Sequence, residues 1–71
     1  MIPLSLASPG EVNTIGRITG KEDVKKFLEN LGFVVGSDVT VISKNEGNVI
    51  VNIKDSRVAI GEDMARRIML V

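Results

Sequence analysis

The side chains that could do chemistry are two acidic pairs, Glu22-Asp23 and Glu62-Asp63, a loose basic group of Lys54, Arg57, Arg66 and Arg67, and five serines. The chain has no histidine and no cysteine. That removes the usual general base, the thiolate nucleophile and the commonest transition-metal ligands. Ser5, Ser8, Ser37, Ser43 and Ser56 therefore have no imidazole to activate them, and no lysine stands in a Ser-Lys motif. Catalysis is not expected. A calcium loop needs six or more oxygens at regular acidic spacing, and neither pair has it. Both pairs fall where helices open, and negative charge there complements the helix dipole. We expect no metal site and no cofactor.

Gly16-x-x-x-Gly20-Lys21-Glu22 resembles a phosphate-binding loop only at first sight. That loop needs four residues between its glycines and a Ser or Thr after the lysine to hold magnesium. Here three residues intervene and Glu22 would repel a phosphate. The segment is better explained as a strand end leading into a helix. Nine basic residues balance nine acidic ones, for a formal charge of +0. This argues against electrostatic capture by DNA, RNA or anionic lipid. The late basic group also lacks the exposed aromatics that single-stranded nucleic acid would stack on. Phe27 and Phe33 are the only aromatic residues.

The elements follow from periodicity. Met1 to Leu6 is apolar with Pro3, as suits a strand edge, and Ser8-Pro9-Gly10 is a turn signal. Val12, Ile15 and Ile18 mark a second strand from Glu11 to Thr19, with Gly16 breaking its period as a bulge would. Val24, Phe27, Leu28 and Leu31 then recur at i, i+3, i+4 and i+7, the apolar stripe of an amphipathic helix. Thr19 and Glu22 have capping-box spacing, Glu22 and Lys26 form an i,i+4 pair, and Gly32 suits the left-handed residue that ends the helix. The helix stripe is expected to pack on Val39 and Val41 of a strand from Asp38 to Lys44, and on Val49 and Val51 of one from Asn48 to Lys54. Val58 and Ile60 of a strand from Arg57 to Ile60 complete that floor. Asn45-Glu46-Gly47 and Asp55-Ser56 are the connecting turns. A short helical turn from Gly61 to Arg67 should point Met64, Ala65 and Ile68 inward before a last strand, Ile68 to Val71.

The fold class expected is mainly β with short helices: a small SH3-like barrel of about five strands, with one amphipathic helix after the second strand and a short C-terminal helical turn. With 71 residues, a single domain over residues 1–71 is expected. A chain of this length buries only about 60% of its unfolded surface, which leaves little room for a deep catalytic pocket. The opening residues lack a basic region, and no apolar run approaches the roughly 20 residues of a membrane span. A cytoplasmic protein without direct membrane insertion is expected.

The residues also resemble a known family. Leu4, Gly10, Ile15, Ile18, the helix closing as Leu28-x-x-Leu31-Gly32-Phe33-x-x-Gly36, and Val58-Ala59-Ile60 with Ala65-x-x-Ile68-x-Leu70 are similar to the FeoA family over essentially the whole chain. The chain departs from the usual pattern at Val35, where a proline is common, at the Lys44-Asn45-Glu46-Gly47-Asn48 connection, and at Gly61, where an arginine is common. The resemblance implies an SH3-like barrel and an adaptor of bacterial ferrous iron transport. Such an adaptor would contact the cytosolic side of FeoB, a membrane-embedded GTP-binding transporter, which would hold it at the inner face of the membrane through that partner; a homo-oligomer is compatible with this role. The same barrel resembles the C-terminal domain of iron-dependent repressors of the diphtheria toxin repressor type, but no helix-turn-helix segment is present to read DNA. A generic SH3-like peptide-binding module is a third alternative, with no Tyr or Trp to line a proline-peptide groove.

Candidate contact residues come from the surface. Phe33, Val34 and Val35 form an apolar tip between two glycines. Such a tip either plugs the barrel end or stands out for a partner. Phe33 is assigned to the plug; Val34 and Val35 fit either role and are the candidate anchor. Asn45, Glu46 and Gly47 of the hairpin, with Lys25, Lys26 and Glu29 of the helix, are candidate rim residues, since interface centres are apolar and rims polar.

Overall fold

Gly16 is where the sheet bends, and the bend turns a run of short strands into a barrel. In the computed structural model, which describes residues 1–71, the strands are β1 (Ile2–Pro3), β2 (Val12–Ile18), β3 (Asp38–Asn45), β4 (Asn48–Ile53), β5 (Ser56–Gly61) and β6 (Ile68–Leu70). A 3₁₀ turn covers Leu4–Leu6; helix α1 is Glu22–Leu31 and helix α2 is Glu62–Ala65. The strands form one antiparallel sheet in the order β1-β6-β2-β3-β4-β5. There are six strands rather than about five, and the first of them, β1, is only two residues long. Pro3 and the 3₁₀ turn after it keep that edge short.

Strand β2 belongs to both halves of the sheet. Val12 to Thr14 pair with β3, whereas Ile15 to Ile18 pair with β6, and the register shifts between Ile15 and Arg17. The bulge expected at Gly16 is therefore present, and it redirects the strand between its two partners. A Cβ at Gly16 would lie 2.5 Å from Val71 Cγ2 and 2.8 Å from Met1 Cε, so the chain ends close over a residue with no side chain.

The core is a cluster of 14 buried residues, all apolar. Val39, Val41, Val49, Val51, Ile53 and Ile60 supply its sheet floor by simple alternation. Ala65 and Ile68 are buried and Met64 packs against them, as the sequence pattern predicts. Phe33 is fully buried and plugs the barrel.

Helix α1 departs from expectation in three ways. Leu28 is fully buried and Val24 and Leu31 pack against the core, but Phe27 is 50% exposed. Successive residues point about 100° apart around a helix, so with Leu28 aimed inward Phe27 falls on the flank of the stripe. The capping box does not form. Lys21 occupies the cap position without a side-chain bond, and the Thr19 hydroxyl instead donates to the Arg67 carbonyl at 3.3 Å. The Glu22–Lys26 pair does not close either; the one ion pair in the chain is Asp63–Arg66, on the surface. Gly32 does end the helix as expected, at φ 110°.

Both hairpins close through two residues of positive φ, the signature of a type I′ turn. In β3–β4 these are Glu46 and Gly47 (φ 47° and 81°), with Asn45 already paired to Asn48. In β4–β5 they are Lys54 and Asp55 (φ 49° and 64°), with Ile53 paired to Ser56. The second turn thus lies one residue before the expected Asp55-Ser56. Register with β4 is uniform from Asn48–Gly61 to Ile53–Ser56, and two-residue closure preserves it.

Candidate functional site: a groove beside the helix-to-strand loop

The loop after α1 is held from both sides. The Gly32 N–H donates to the Glu29 carbonyl at 2.9 Å and the Phe33 N–H to the Leu28 carbonyl at 2.9 Å, which satisfies the helix end. Farther on, the Gly36 N–H donates to Ile15 O at 2.8 Å and the Ile15 N–H to Ser37 O at 2.9 Å. These two bonds tie the loop to β2 just ahead of the bulge. Gly36 has φ 92°, a conformation that favours glycine. The intervening residues are thereby divided: Phe33 points into the core, Val34 is half-buried and Val35 is 65% exposed.

Val34 and Val35 form one wall of an open groove of about 460 Å³. Gly16, Arg17 and Ile18 of β2 contribute to its lining, as do Lys25 and Glu29 of α1. Lys25 and Glu29 are four apart and so share one helix face. Three apolar side chains, Ile18, Val34 and Val35, thus lie among two cations and one carboxylate. None of these charges is engaged in an ion pair within the chain. An apolar centre ringed by unpaired charges has the layout of a protein-contact surface rather than a reaction centre.

The candidate residues divide between two places. Lys25, Glu29, Val34 and Val35 meet in the loop groove. Asn45, Glu46 and Gly47 line a separate hollow of about 240 Å³ with Ser5, Lys44 and Glu62. There the Lys44 ammonium donates to Ser5 O at 2.8 Å, and the Glu62 N–H to Gly47 O at 2.7 Å. Lys26 is exposed on α1 and lines neither. Arg17 and Ile18 belong to the groove but were not anticipated. Their signal was the broken period at Gly16, where a bulge re-aims the side chains beside it. No three carboxylates come together as a metal cluster, and no helix is long and apolar enough to cross a membrane.

Comparison with known proteins agrees with this architecture. A protein of Methanocaldococcus jannaschii named for Fe(2+) transport protein A is 34% identical over 70 residues, covering 99% of this chain and 85% of that one. The crystal structure of an iron uptake regulatory protein, FeoA, superposes with a TM-score of 0.91 at 27% identity, covering 97% of this chain and 93% of the other. A manganese-dependent transcriptional repressor shares the fold at a TM-score of 0.89 and 22% identity, with 97% of this chain lying on 40% of the repressor. The sequence profile of the FeoA domain matches residues 2–71, and the chain belongs to the FeoA domain family.

Proposed function

We propose that this protein is an accessory adaptor of ferrous iron transport that acts by docking on the cytosolic part of a FeoB-type membrane GTPase. Its family membership supports a transport role, and the loop groove supports a mechanism by contact. The groove carries the proposal: Val34 and Val35 are the anchor, and Arg17, Lys25 and Glu29 form a charged rim. Docking there would bias the conformation or assembly of the transporter without this chain handling the iron. The chain has neither His nor Cys, and no three of its carboxylates come together.

Co-purification with the cognate transporter and iron uptake in cells test this role. A Val34→Asp/Val35→Asp variant is expected to stay folded, lose co-purification and lower uptake. Undiminished co-purification by the folded variant would remove the groove from the interface. The repressor-like alternative is less well supported. The match to the repressor covers the barrel alone, and the two helices of this chain, ten and four residues long, are separated by three strands and form no helix-turn-helix.

A further inference from the structure

The two edges of the sheet are unequal. At one edge β1 is two residues long and contains Pro3. At the other, β5 runs for six residues with no proline, no bulge and no strand on its outer side. A straight, unblocked edge is a template for another strand. In the ladder closed by the Lys54-Asp55 turn, the flanking pair Ile53–Ser56 is hydrogen-bonded and alternate residues follow suit. Ser56, Val58 and Ile60 therefore bond to β4, while the N–H and C=O groups of Arg57 and Ala59 point outward. Both residues are exposed, and no residue of the loop groove lies on β5.

We propose that β5 pairs antiparallel with β5 of a second copy of this chain, about a two-fold axis at Val58. This register sets Arg57 opposite Ala59 of the other copy and engages the four outward-pointing groups of Arg57 and Ala59 in each strand. It also sets the small Ala59 beneath the long Arg57 side chain. The charges flanking β5 favour self-pairing over an arbitrary extended peptide. Lys54 precedes the strand and Glu62 follows it, so a two-fold related pair brings each Lys54 toward the Glu62 of the other copy. Neither side chain is engaged in an ion pair within the chain. A six-residue contact is far smaller than a standard interface, so the dimer is weak, with a dissociation constant of about 0.1–1 mM.

Sedimentation equilibrium from about 10 µM to about 1 mM, with amide exchange at both ends of that range, tests the pairing. The expected result is a monomer–dimer equilibrium in which the Arg57 and Ala59 amides gain protection as concentration rises. Ala59→Pro removes an outward N–H and leaves the β4 ladder intact, so it is expected to give a folded monomer. Lys54→Glu and Glu62→Lys should each weaken the dimer by about two- to fivefold, and the double exchange should restore it. A wild-type monomer throughout, a folded Ala59→Pro variant that still dimerises, or a double exchange no better than the singles would each overturn the proposal. Should Ala59→Pro fail to fold, the charge exchange decides the matter alone.

Discussion

Phe33 and Val35 stand two residues apart in one loop, yet Phe33 is sealed in the core while Val35 is 65% exposed. The difference arises in the backbone. The helix end fixes Phe33 through its bond to Leu28 O, and Gly36 fixes the far side through Ile15 O, so the chain between them arches outward. One short apolar run thus serves two purposes, the inner residue closing the barrel and the outer ones presenting a surface. The inner half should govern stability and the outer half binding, and substitutions can separate the two.

The largest effect is expected in the inner half. Phe33→Ala should cost about 3–5 kcal/mol and Leu28→Ala about 2–5 kcal/mol, because each opens a cavity in a small core. Denaturant unfolding measures both, and a cost below about 1 kcal/mol for Phe33→Ala would show the plug to be dispensable. For a domain this small either loss approaches total stability, so these variants belong in a stabilised background. Val35→Asp places a charge in solvent and should change stability by less than about 0.5 kcal/mol. A cost as large as that of Phe33→Ala would erase the distinction between the halves.

Two smaller effects sharpen the comparison by isolating features outside it. Lys54 and Asp55 hold positive φ without being glycine, and Lys54→Asn/Asp55→Gly installs the pair that a type I′ turn favours. We expect a gain of about 0.5–1 kcal/mol, read as a higher denaturant midpoint at unchanged slope. Thr19→Ala should cost less than about 0.5 kcal/mol, because Thr19 makes an exposed bond to Arg67 O instead of capping α1. A true capping residue would cost about 1 kcal/mol, so the measurement distinguishes the two geometries. Finally, anaerobic calorimetric titration with ferrous iron or zinc should show no stoichiometric micromolar site, since the chain has no His or Cys.

How much of this was legible in the sequence depends on the kind of signal. Strands β4 and β5 alternate cleanly, β3 does so up to the register shift between Val41 and Ser43, and Val39, Val41, Val49 and Val51 all point where alternation places them. Gly16 and Gly32 announced a bulge and a helix end for different reasons: a Cβ at Gly16 would collide with Val71 and Met1, whereas Gly32 takes the left-handed backbone that other residues resist. Phe27 was misplaced because an i, i+3, i+4, i+7 stripe defines a helix face without saying how wide a strip the partner sheet can cover. Thr19 was misplaced because capping-box spacing says nothing about a competing carbonyl, here that of Arg67, 48 residues away. The hairpin slipped by one residue because Lys54 has little propensity for positive φ, and the uniform pairing of β4 with β5 overrode it. In the groove, Lys25, Glu29, Val34 and Val35 were accessible from local pattern. Arg17 and Ile18 joined them only through the bulge, a tertiary consequence of β2 serving two sheet partners.

The central claim is that the outer half of the loop recognises the transporter while the inner half only folds the barrel. The direct test is a binding titration of this protein against its detergent-solubilised FeoB-type transporter, comparing wild type with Val35→Asp at matched stability. The account predicts at least about a fivefold loss of affinity for Val35→Asp, the loss expected on truncating or charging an interface anchor. Equal affinity for the two proteins, both folded, would contradict it.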